Sequence, residues 1–252
     1  MITTLIYDGT FEGLLTAVFE IYEHRLDLVR IKKGEWLNTA LFENTIKVVT
    51  ENTRADRVLK GLKQKLSAMG LQRLYAAHLA EMDGEDDNLL GYIRYVFDSS
   101  QNVEEDYGNK YVMRVSEIVR SVRRERHRME AFIRFKELKD NTYYATIEPD
   151  FNVLPLLVKH FRDRYADQKW IIYDIRRSYG VYYDIHDTQY ISLDFATLDP
   201  GNAIAAFNEN EVLYQDLWKN YFNSVNIPAR KNTKLHLRHV PKRYWRHLTE
   251  KI

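Results

Sequence analysis

The sequence predicts an α+β protein, helix-rich, with a small mainly antiparallel sheet in the C-terminal half and a small α/β region at the N-terminus. Three observations carry this reading. Thr4-Leu5-Ile6-Tyr7 reads as a short strand, and residues 11–22 follow with helical spacing (Phe11, Leu14, Leu15, Val18, Phe19, Tyr22). A basic amphipathic stretch over 110–138 reads as one long helix. Three strand-like runs, 169–175, 180–185 and 188–194, are joined by turns too short for parallel crossovers, which makes them antiparallel.

Taken in order, the first strand ends at Asp8-Gly9; Thr10 is placed to cap the first helix, and Glu12 suits its positive end. Residues 45–50 (TIKVVT) form a second strand candidate. Val58, Leu62 and Leu66 mark a helix over 53–69, with Gly70 as its stop, and 71–82 reads as another. The acidic, glycine-containing stretch 82–87 is the expected domain boundary, giving regions 1–84 and 85–252. Residues 88–97 read as a helix, 98–109 as a polar loop. After the long helix, Asn141 marks its end and 142–148 alternates as a strand, stopped by Pro149. Pro155 suits the first turn of a helix over 154–165, and 209–225 is an amphipathic helix. A basic tail follows Pro228.

The 252 residues contain no cysteine, which excludes disulfides, a cysteine nucleophile and thiolate-held zinc or iron–sulfur clusters in this chain, and fits a reducing cytoplasm. The N-terminus has no signal-peptide pattern, and no apolar run approaches the roughly 20 residues of a membrane span. No P-loop, GxGxxG or GxSxG occurs, which argues against a triphosphate-driven engine, a Rossmann dehydrogenase and an α/β-hydrolase. The histidines lack metal-ligand spacing, so no metal and no cofactor are expected.

The long helix carries the most informative pattern. Tyr111, Val115, Ile118, Val122, Met129 and Ile133 form one apolar stripe, interrupted at Glu125 and Arg126, while Arg120, Arg124, His127 and Arg128 lie opposite, with Arg120, Arg124 and Arg128 as candidates for nucleic-acid phosphate contact. Charge on an apolar face is costly unless paired, so Glu125 is either a site residue or a structural ion pair. The net charge of +1 hides a second feature: residues 230–252 hold eight Lys/Arg and three His against one acid, Glu250. Arg238, Lys242 and Arg243 there can contact phosphate, and Tyr244 and Trp245 can stack on bases or dock on the core. Glu148-Pro149-Asp150 ends a strand, a favoured place for site residues, and His160, Arg162, Arg164, Trp170, Asp174, Arg176 and Arg177 follow as residues able to converge there around a phosphate or as salt bridges.

These segments together resemble a known family. Residues 7–13 (YDGTFEG), 125–135 (ERHRMEAFIRF), Ile147-Glu148-Pro149-Asp150 leading to His160-Phe161, 170–174 (WIIYD), Tyr179-Gly180 and 238–245 (RHVPKRYW) occur in the order found in bacterial DNA metabolism or repair proteins encoded beside a radical-SAM enzyme. The resemblance covers nearly the whole chain. Some relatives join a similar region to a uracil-DNA glycosylase-like domain, but no glycosylase GxxPG-type motif occurs here. The resemblance implies a DNA link and a radical-SAM partner, and carries no catalytic residues over. The leading expectation is a DNA-binding accessory protein whose partner supplies the chemistry. One alternative is an enzyme acting on a nucleotide or damaged base with Glu125, His127 and Glu148 as acid–base groups; another is a structural adaptor for the radical-SAM partner.

Overall fold

The computed structural model describes residues 2–34, 44–192, 208, 211–225 and 237–251. The chain forms two compact units, Met1–Val122 and Arg123–Ile252, and the division falls inside one helix.

In the first unit, β1 (Thr3–Tyr7) pairs in parallel with β2 (Val29–Lys33) and β3 (Asn44–Lys47), in the order β2-β1-β3. Helix α1 (Phe11–Glu23) makes the first crossover, and the Thr10 hydroxyl accepts from the Gly13 N–H at 2.9 Å, as its position predicts. Strand β2 has no counterpart in the sequence reading, because only Ile31 of its VRIKK is buried and Arg30, Lys32 and Lys33 carry charge. Helices α2 (Asn52–Lys65), α3 (Ala68–His78) and α4 (Asp86–Asp98) follow in the same unit. The expected stop at Gly70 is not one: the Ser67 hydroxyl accepts from the Gly70 N–H at 3.0 Å and starts α3 there.

Helix α5 (Lys110–Phe132) ends six residues before the expected Leu138. The Arg134 guanidinium folds back to donate to the carbonyls of Ala131 (2.8 Å) and Ile133 (3.2 Å), satisfying orphan acceptors at the helix end. The chain then enters β4 (Lys136–Glu137), which pairs antiparallel with β5 (Tyr143–Ile147); Asn141, at φ 61°, belongs to the turn between them. Helix α6 (Leu154–Arg164) crosses over to β6 (Trp170–Asp174), which is parallel to β5. Strands β7 (Tyr179–Tyr183) and β8 (Thr188–Ile191) then add antiparallel neighbours, as their short turns predict. The order is β4-β5-β6-β7-β8. Gly180 sits opposite Tyr173, where a Cβ would lie 2.8 Å from the tyrosine ring and 2.9 Å from the Ile172 carbonyl oxygen. Helix α7 (Glu211–Val225) and the 3₁₀ turns Lys242–His247 and Thr249–Lys251 follow.

Candidate functional site

Because β5 and β6 run in parallel, their carboxyl ends open side by side, the usual place for ligands on such strands. Both ends carry charge. Asp174, fully buried, accepts from the backbone of Arg176 (2.9 Å) and Arg177 (3.2 Å) and from the Arg177 guanidinium (2.9 Å). Burial raises its pKa, and the Arg177 charge opposes that rise. Arg177 reaches across to the carbonyls of Pro149 (3.2 Å) and Asp150 (3.0 Å), tying the two strand ends together.

Glu125 meets the same place from α5. Val112, Val115, Ile118, Val122 and Met129 are buried along the stripe, and Glu125 lies among them, 2% exposed. One carboxylate oxygen accepts from the Asp150 N–H at 2.9 Å; the other accepts from the Tyr244 hydroxyl at 2.6 Å and Arg243 Nη2 at 3.0 Å, with Arg128 at 3.8 Å. Burial, then the bond to Glu125, raises the Tyr244 pKa. Arg243 also bridges to Asp150 Oδ2 at 2.5 Å, and Arg176 stands 3.9 Å from the same carboxylate. Burial opposes the charge of Arg243, but its bond to Tyr244 and the Glu125 and Asp150 carboxylates outweigh this and raise its pKa. The result is layered: Glu125 and Asp174 lie covered, while the side chains of Arg243 and Arg176 are 42% and 55% exposed.

The three predicted acid–base residues occupy different surroundings. Glu125 is consumed by the contacts above. Glu148 makes a close ion pair with Arg246, and His247 stands 3.7 Å away. His127 is 85% exposed and faces Glu130 at 3.7 Å. Arg126, expected beside Glu125 on the stripe, is instead exposed and paired with Glu130 at 2.8 Å, because one further residue turns it about 100° away. Arg120, Arg124, Arg238 and Lys242 are exposed, while Arg128 is half-buried against Glu125. Tyr244 is core rather than a stacking surface. Trp245 donates to the Val240 carbonyl at 3.1 Å, and Lys251 lies 5.4 Å from its ring. Arg230, Lys231 and Lys234 of the basic tail lie outside the described residues.

A model of a domain of unknown function, DUF4130, matches residues 83–250. The chain belongs to that family. No curated protein matches it. The charged site lies wholly within the DUF4130 region. Among the described residues no helix is long and apolar enough to cross a membrane, and no group of three acidic or histidine side chains is placed to hold a metal ion.

The DUF4130 region holds a second feature that the sequence did not reveal. A cavity of about 880 Å³ opens at the other end of the parallel pair, beside Tyr143 and Trp170, the first residues of β5 and β6. His160 and Arg164, expected near Glu148, line this cavity instead. The reason is topological: a crossover helix runs back along the strands it joins, so the C-terminal half of α6 lies by their amino ends. Sequence spacing hid the cavity because its rings come from separate segments: Phe135, Tyr143, Phe161, Tyr165, Trp170 and Trp218.

Proposed function

We propose that the protein is a DNA-binding accessory protein of DNA repair or metabolism, acting beside a radical-SAM partner. The observation that carries the binding half is the layering at the β5–β6 carboxyl ends. The buried Glu125 carboxylate holds Arg243, whose side chain stays 42% exposed, and Arg176 stands beside it at 55% exposed, so a held cation and a free-standing one face outward for phosphate. Arg124, Lys242 and Arg238 add exposed cations in the same compact unit. The partner half rests on the family resemblance and on the lack of cysteine, which leaves an iron–sulfur cluster to the partner.

Fluorescence anisotropy with single- and double-stranded DNA across a salt series tests the reading, with the protein alone and co-expressed with the radical-SAM protein. If about five cations contact phosphate, log K falls against log[salt] with a slope of about −3.5 on single strands or −4.5 on duplex. Absent or salt-independent binding contradicts it, and co-purification with the partner but no DNA affinity would favour an adaptor.

A further inference from the structure

We infer that the arginine pair at the carboxyl ends of β5 and β6 selects a terminal phosphate, the phosphomonoester at the end of a strand, over the phosphodiesters within one. The inference rests on the DNA-binding reading above and names which phosphate that site takes. The observation that carries it is the anion already seated there. The Asp150 carboxylate lies between the two exposed arginines, one oxygen toward each: Oδ2 is 2.5 Å from Arg243 Nη1, and Oδ1 is 3.9 Å from Arg176 Nη1. Glu125 takes the other terminal nitrogen of Arg243, Nη2, at 3.0 Å. To be gripped by both arginines at once, an incoming phosphate must therefore take the place of the Asp150 carboxylate.

The strand end is arranged to permit that exchange. The Asp150 backbone is fixed independently of its side chain: its N–H donates to Glu125 at 2.9 Å, and its carbonyl accepts from Arg177 at 3.0 Å. The side chain itself is 43% exposed, and ion pairs this open to water are weakly held. The carboxylate can turn into solvent while the strand ends stay in place.

Charge then decides which phosphate wins. A phosphodiester carries one negative charge, so exchanging it for the carboxylate adds nothing at the arginines. A phosphomonoester carries about −1.5 to −2 at pH 7 and has three strong acceptor oxygens, so it brings up to one further charge and can bond both arginines. The neighbouring cation is neutralised in the same way. Arg246, one 3₁₀ turn beyond Arg243, is in a close ion pair with Glu148. This edge thus offers paired cations, which favour a more highly charged group over a run of diesters.

The test uses the full chain with an internally labelled, hydroxyl-ended single strand, displaced in fluorescence anisotropy by unlabelled strands of one sequence. These end in hydroxyls only, a 5′-phosphate, a 3′-phosphate, or a 5′-phosphate capped as its methyl ester, which keeps the phosphorus but only one charge. A terminal phosphate should improve competition about 3- to 10-fold, and the 5′ and 3′ arms identify the end that is bound. The methyl ester should compete like the hydroxyl-ended strand. Arg176→Gln should shrink the preference to about 2-fold or less by removing one arm. Asp150→Asn keeps the shape and removes the resident charge, so it should tighten binding of every strand. Equal competition by phosphorylated and hydroxyl-ended strands overturns the selection and leaves DNA binding standing. So does a preference that survives the methyl cap or Arg176→Gln. Weaker binding by Asp150→Asn overturns it as well, because the carboxylate would then be holding the arginines for the ligand rather than occupying its place. No binding of the labelled strand overturns both readings.

Discussion

At the carboxyl ends of β5 and β6 the buried carboxylates, Glu125 and Asp174, are each met by an arginine and backbone N–H, whereas at the amino ends the buried Trp170 N–H has no hydrogen-bond partner among the described residues. Both ends belong to the same pair of strands, and the face that carries Asp174 also carries Trp170, by the two-residue alternation. The difference is how far each end is finished. The charged end is closed within itself and leaves part of its arginine side chains exposed; the aromatic end borders a cavity. A surface polymer suits the first.

That contrast can be broken from either side. The largest effect is expected at Glu125. Glu125→Ala strands Arg243, the Tyr244 hydroxyl and the Asp150 N–H, and should cost about 3–5 kcal/mol in urea unfolding. Gly180→Ala attacks the same end without touching a charge. Its Cβ would press the Tyr173 ring next to Asp174, and a loss of about 1–3 kcal/mol is expected. Trp170→Phe should cost less, about 1–2 kcal/mol, because it loses packing in a buried site but no hydrogen bond made among the described residues. Equal losses at Glu125 and Trp170 would erase the distinction between the ends.

Acid separates the two ends more gently. Burial, then the charges of Arg246 and Lys136, lowers the His247 pKa below its ordinary 6.5. The unfolded chain therefore takes up that proton first, and stability should begin to fall as pH drops below about 6.5. Near the cavity, Glu250 is held below its ordinary 4.5: burial would raise it, but bonds from Arg134 and Trp218 outweigh that. Its contribution is complete above about 4.5 and is lost as pH falls through the lowered value. Thermal melts from pH 8 to 3 should show His247→Gln flattening only the upper part of the curve and Glu250→Gln only the lower.

Much of the charged end is legible in the sequence. A lone glutamate in an i, i+3, i+4 apolar stripe must be paired, and Glu148-Pro149-Asp150 marks a strand end; the fold brings the two together through the Asp150 N–H. What the pattern cannot supply is the partner's identity. Tyr244 reads equally as a stacking ring or a core residue, and only the fold brings its hydroxyl to Glu125. The end of α5 is likewise decided by Arg134 folding onto its carbonyls, a choice that helical periodicity does not encode. The cavity is illegible because no local period links Phe135, Phe161 and Trp170; the crossover of α6 gathers them.

One measurement bears most directly on the division of labour: single-stranded DNA binding across a salt series for the parent protein, for Arg124→Ala with Lys242→Ala, and for Trp170→Phe. The double variant should flatten the slope of log K against log[salt] by about 1.4, two contacts at roughly 0.7 each, while Trp170→Phe, a buried and uncharged site, should leave the slope unchanged. A slope that the double variant leaves intact, or that Trp170→Phe alters, would contradict the account.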